Sequence, residues 1–214
     1  MAQIQTNSVE PFMTKVCYAG QGSEHFIQLV GKIEDKFLSS LDLAMQYIMD
    51  ARKITDVVID VSQAKMIDSI GLGLMTAFAQ KLNDIGLRPK ILIGPQDQTF
   101  SIFQSLGVVD YFAWQNNLDE YAGFRGFEIL PQDESPEGIC QRGIVAHKAL
   151  IQANHGNKPE FQGILTALTM ELALLKYGDG QLNISASRFP KVIKRPGLEG
   201  SGATYGIPEE TFLH

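Results

Sequence analysis

Residues 55–75 read TDVVIDVSQAKMIDSIGLGLM, and the architecture depends on how this stretch divides. TDVVIDVS carries a nearly unbroken apolar run, the pattern of a strand covered on both faces. From Ile70 the chain continues as IGLGLMTAFAQKLNDIG, where Leu72, Met75, Ala79 and Leu82 recur at helical spacing and Gly86 follows as a C-cap. Between strand and helix stands the pair Asp68-Ser69, with Gly71 and Gly73 close behind.

Upstream, VCYAGQGSEHFIQLVGKI reads as two strands around a polar turn, with Phe26, Gln28 and Val30 on one face and Ile27, Leu29 and Gly31 on the other. SSLDLAMQYIMDARK then predicts a helix capped by Ser39 or Ser40, whose apolar stripe is Leu41, Ala44, Met45, Ile48 and Met49. Downstream, RPKILIGP is a short strand and QDQTFSIFQSLGVVDYF a helix built on Phe100, Phe103 and Leu106. WQNNLDEYAG is expected to be a last short helix. Strands alternating with helices of this length imply crossover units, hence an α/β fold with a mixed, largely parallel sheet packed by helices.

The last third differs in character. After a Pro- and acid-rich linker at 123–137, two amphipathic stretches over 138–178 predict a helical hairpin. Ile144, His147, Ala149 and Ile151 are expected to face inward from its first helix, and Phe161, Ile164, Leu165, Leu168, Leu172 and Leu175 from its second. HGNKPE between them offers Asn157 as an N-cap, with Glu160 completing a capping box. Residues 179–214 lack periodicity and read as a flexible tail, in which Arg188, Lys191, Lys194 and Arg195 form a solvated basic run.

Composition narrows the function classes. With 44% hydrophobic and 20% charged residues the chain is that of an ordinary soluble globular protein. A net charge of -6 disfavours direct nucleic-acid binding. Cys17 and Cys140 are too few for a disulfide framework, which suits a reducing cytoplasm. No secretory signal is recognisable, and the best apolar stretch, GILTALTMELALL, is too short to span a bilayer and carries Glu171, so direct membrane insertion is not expected.

The glycines at 71 and 73 fit neither phosphate-binding template. A Walker loop needs Lys and Ser/Thr after its last glycine and a dinucleotide loop a third glycine, whereas Leu74, Met75 and Thr76 follow Gly73. They are better read as letting the first turn of the helix approach the sheet. His25, His147, His155 and His214 are scattered, and Ser69 lies in no GxSxG elbow, so neither a metal site, a cofactor site nor a hydrolase triad is indicated. What remains is a hydroxyl at a helix N-terminus. Capping alone explains Asp and Ser there, yet an exposed serine at such a turn is also well placed for phosphorylation.

The segment from Thr55 to Phe112 resembles the STAS domain of bacterial anti-sigma factor antagonists. The VVIDVS strand, the Asp-Ser-x-Gly-Leu signature at Asp68, Ser69, Gly71 and Leu72, and the later strand and helix ending in Leu-Gly-Val carry the resemblance, which extends over about residues 12–122. It implies a non-catalytic partner switch. Ser69 would be phosphorylated by an anti-sigma factor of the serine-kinase type, and a PP2C-type phosphatase would restore the free hydroxyl. Asp68, Ser69, Ile70, Gly71 and Leu72 would form the partner-binding face. Ile70 stands where a second small residue is common, and the hairpin has no counterpart in minimal members; it would either cover surface of the same chain or support dimerisation or a further partner. The alternative is a STAS docking subunit of a lipid-transport or sensory assembly, without a phospho-switch.

Overall fold

The computed structural model describes residues 13–94, 98–117, 121 and 126–178. β1 (Lys15–Gln21) and β2 (Glu24–Ile33) form the expected hairpin. They are followed by α1 (Phe37–Met49), β3 (Asp56–Ile67), α2 (Ser69–Asp84), β4 (Lys90–Leu92), α3 (Thr99–Ser105) and β5 (Ala113–Gln115). β6 (Phe127–Ile129), α4 (Pro136–Ala153) and α5 (Lys158–Tyr177) complete the described chain.

One sheet of order β5-β4-β3-β2-β1-β6 results. β2, β3, β4 and β5 pair in parallel, while β1 is antiparallel to both β2 and β6. The alternation of β2 and β3 sorts their side chains cleanly. Ile27, Leu29, Val57, Ile59 and Val61 join Leu41, Ile48, Met75, Leu82 and Phe103 of the helices in the main core. On the opposite face a smaller cluster gathers Ala19, Phe26, Val58, Leu92 and Tyr121. Asp60 is buried on that face, where the Gln28 amide and the Ser62 N–H donate to its carboxylate at 3.0 and 2.9 Å.

Several expectations need correction. α1 begins at Phe37, so Ser39 and Ser40 lie inside it; the Ser39 hydroxyl donates to the Lys36 carbonyl and accepts from the Gln132 N–H instead of capping. Trp114 and Gln115 are in β5 and not in a closing helix, because Trp114 packs its ring edge-on to Phe100 and Phe103 as a strand residue. Within the expected linker, Phe127–Ile129 adds an edge strand beside β1, burying Ile129 against the core. The tail, with its basic run, lies outside the described residues.

Candidate functional site: the Asp68-Ser69 turn and the helix that covers it

β3 runs to Ile67 and α2 starts at Ser69, leaving Asp68 alone to make the turn. Asp68 has extended backbone and its Oδ1 accepts the Gly71 N–H at 2.7 Å, so it is the N-cap. The Leu72 N–H reaches the Asp68 carbonyl at 3.0 Å and begins the helical ladder. Because Asp68 caps the helix, Ser69 occupies its first position with the hydroxyl uncommitted to capping. Gly71 keeps the turn tight, since a Cβ there would stand 2.7 Å from Ile67 Cγ2 at the end of β3.

The Ser69 hydroxyl is half-buried and lies 3.4 Å from Nε2 of His147, a residue of α4. The imidazole is nearly inaccessible, at 2% exposure. Its Nδ1 is 2.8 Å from the Gly143 carbonyl oxygen, which can only accept, so Nδ1 carries the proton. In the neutral ring Nε2 is then the acceptor, and Ser69 donates to it over a long hydrogen bond. Burial lowers the His147 imidazole below its usual value, opposed by the Gly143 carbonyl and the charge of Asp68. Burial likewise raises the Asp68 carboxyl, reinforced by Asp35 and Glu34, while the Gly71 and Ile70 N–H groups pull it down. A carbonyl at Nδ1 in place of a carboxylate fixes the tautomer but stabilises imidazolium poorly, so the pair orients a hydroxyl without forming a triad.

α4 reaches Ser69 because its backbone lies against α2. At Gly73, one turn beyond Ser69, a Cβ would be 2.5 Å from the Ala146 carbonyl oxygen and 2.7 Å from its Cα. The buried stripe of α4 is therefore one of small and medium side chains: Gly143, Ala146, His147, Ala149 and Leu150. Near its start, Arg142 pairs with both oxygens of Glu134 and, at 3.5 Å, with Asp42 of α1. At its far end, the amides of Asn154 and Asn157 donate to the Leu106 carbonyl at 3.3 and 2.8 Å, and Asn157 also donates to Leu150 at 2.9 Å.

Beside Asp68 opens a cleft of 360 Å³ between α1, α2 and α4, lined by Asp35, Asp68, Asp133 and Glu134 against Lys36 and Arg142. A larger depression of 620 Å³ lies at the ends of β3 and β4, with Leu72 and Ile102 in its wall. Among the described residues no group of three or more His, Cys, Asp or Glu is placed to hold a metal ion, and no helix is long and apolar enough to cross a membrane.

Of the residues assigned to the partner face from sequence, Asp68, Ser69 and Ile70 are partly exposed, whereas Gly71 and Leu72 are buried. Gly71 shapes the turn, and Leu72 packs in the core with its edge in the wall of the larger depression. Sequence reasoning missed His147 as the Ser69 partner and gave Gly73 the wrong neighbour, the sheet in place of α4. Of the inner stripe expected for α4, His147 and Ala149 are buried, whereas Ile144 and Ile151 are only half-buried because the close approach to Gly73 selects Ala146 and Gly143 instead. Asn157 is no side-chain cap, its amide being committed to two carbonyls. In α5 Phe161 alone is buried, and Ile164 and Leu175 remain exposed.

No curated protein matches the chain. A solved structure of the anti-sigma factor antagonist SpoIIAA in its unphosphorylated form aligns with 16% identity and a TM-score of 0.41, over 50% of this chain and 91% of that one. Residues 14–121, which include the Asp68-Ser69 turn and end short of α4, match the STAS domain. The match spans half of the chain, and the protein belongs to the STAS domain family.

Proposed function

We propose that the protein is a cytoplasmic, non-catalytic anti-sigma factor antagonist that switches partners through Ser69. With Ser69 unmodified it binds an anti-sigma factor of the serine-kinase type and so frees that factor's client. Phosphorylation makes a bond from the γ-phosphorus of ATP to Ser69 Oγ and breaks the bond to ADP, while the hydroxyl proton passes to a base of the kinase. The added phosphate, nearly two negative charges beside Asp68, then expels the partner. A PP2C-type phosphatase returns the hydroxyl by hydrolysis.

One observation carries this reading. Within a STAS domain, Asp68 takes over the N-cap through Gly71 at 2.7 Å and leaves the Ser69 hydroxyl half-exposed and chemically available at the first position of α2. Asp68, Ser69 and Ile70 present the surface that a partner would read. The test is to incubate the protein with ATP and its cognate anti-sigma factor of the serine-kinase type, map phosphate by mass spectrometry, and measure binding to that kinase. Phosphate on Ser69 and loss of binding in Ser69→Asp are expected. No phosphate on Ser69, with binding indifferent to Ser69→Asp, would overturn the switch.

A further inference from the structure

We propose that α4 is an internal stand-in for the docking partner: it lies on the Ser69 end of α2 while the hydroxyl is free, and a phosphoryl group on Ser69 releases it. This deepens the reading of Ser69 as phospho-acceptor and rests on it.

The argument begins with the hydrogen bond that joins the two helices at Ser69. The hydroxyl donates to His147 Nε2 at 3.4 Å, and His147 Nδ1 is held by Gly143 at 2.8 Å. Esterifying Oγ removes the donor. The oxygens that replace it are acceptors, and so is the facing nitrogen, so attraction turns into repulsion between lone pairs. Protonating the ring would repair the contact, but His147 is 2% exposed and burial already disfavours its charged form.

Space and charge point the same way. α4 cannot slide along α2 to make room, because Gly73 and the Ala146 backbone already sit at a separation that excludes even a Cβ. The phosphoryl group would enter beside Asp68, whose carboxyl already senses Asp35 and Glu34. Arg142 of α4, which lines the same cleft as Asp68, is committed to Glu134 and Asp42. A dianion is thus added to a corner where Asp35, Asp68, Asp133 and Glu134 outnumber Lys36 and Arg142. Lifting α4 relieves all of these contacts at once, and against it stands the burial of a stripe that mixes the small Gly143, Ala146 and Ala149 with Cys140 and Leu150.

In this scheme the STAS domain faces the same rule from inside and outside the chain. A partner that docks on α2 must first displace α4, and phosphate at Ser69 dismisses either occupant. The hairpin that minimal members lack becomes a cover over the switch.

The experiment needs neither the kinase nor the partner, so its failure is distinct from failure of the proposed function. Full-length protein with phosphoserine encoded at position 69 is compared with unmodified protein by hydrogen exchange at neutral pH, with Ser69→Asp as a second variant and β3 amides as the internal reference. The expected result is exchange across α4 faster by about 10-fold or more with phosphoserine, and by a smaller factor with Ser69→Asp, while β3 is unchanged. Unchanged or slower exchange in α4 would overturn the proposal, the latter meaning that His147 or Arg142 captures the phosphate. Equal loosening of β3 and α4 would overturn it too, because α4 would then not be a separable unit.

Discussion

Replacing Gly73 with alanine should loosen α4 more than the domain beneath it. The new methyl would stand 2.5 Å from the Ala146 carbonyl oxygen and 2.6 Å from its carbonyl carbon. Both are backbone atoms, so no rotamer change relieves the clash, and α4 must retreat by roughly 1 Å to restore ordinary carbon contacts. Such overpacking costs about 1–3 kcal/mol. Alanine also favours the helical state of α2 over glycine by about 1 kcal/mol. The two terms act on different equilibria: the propensity gain is present whenever α2 is folded, whereas the clash exists only with α4 docked. Docking should therefore weaken by the full 1–3 kcal/mol, or about 5- to 150-fold in the opening constant, while global stability falls by about 1 kcal/mol less than that. Hydrogen exchange of α4 and β3 peptides, with urea unfolding in parallel, separates these outcomes. Unchanged exchange in α4, or equal acceleration in β3, would refute the assignment of Gly73 as the seam between the two helices.

Three further perturbations follow from the same contacts. His147 is harder to protonate in the fold than in the unfolded chain, where it titrates near 6.5, so the docking it supports is intact above that pH and declines as pH falls through and below it. Asp68 and Ser69 of α2 and Phe161 of α5 are its neighbours, and α4 exchange corrected for the intrinsic rate should lose this pH dependence in His147→Gln. Asn157→Ala removes two hydrogen bonds from a 5%-exposed site, to the Leu106 and Leu150 carbonyls that keep Asn154 as a donor, and should cost about 1–3 kcal/mol, read as a lower urea midpoint. Asp68→Ala removes the cap and should cost about 1 kcal/mol, whereas Asp68→Asn keeps an acceptor and sheds a carboxylate that burial disfavours, so its urea midpoint should match or exceed that of the parent.

The parts of this fold that sequence made legible are those whose signal is local. The alternation in β1 and β2, the apolar run of β3 and the 3.6-residue stripe of α2 all report which face each residue turns inward, and the structure buries Ile27, Val57, Leu72, Met75 and Leu82 accordingly. Asp68-Ser69 was legible as a turn with a cap, though which of the two capped was not, because Asp and Ser offer similar oxygens. What remained hidden was pairing across distance. Ser69 and His147 are joined by the docking of α4, and that docking is encoded by glycine and alanine, whose small size carries no periodic signature. β5 and β6 were missed for a related reason: at Ala113–Gln115 and Phe127–Ile129 they are too short for alternation to show, and exist because a neighbouring strand offers unpaired backbone groups.

The connection between β6 and α4 sets a quantitative threshold for any partner. Residues 130–135 are all that separate the sheet from α4, so a released helix can drift no more than about 20 Å from its anchor. A tether this short keeps the helix at an effective concentration on the order of millimolar. An outside protein seeking the same surface at micromolar abundance is outnumbered locally by about a thousand to one. It can prevail only through intrinsically tighter binding, and the length of this connection would tune how much tighter. Lengthening 130–135 with flexible residues should therefore lower the concentration of partner at which half of the protein is engaged, with no change to either surface.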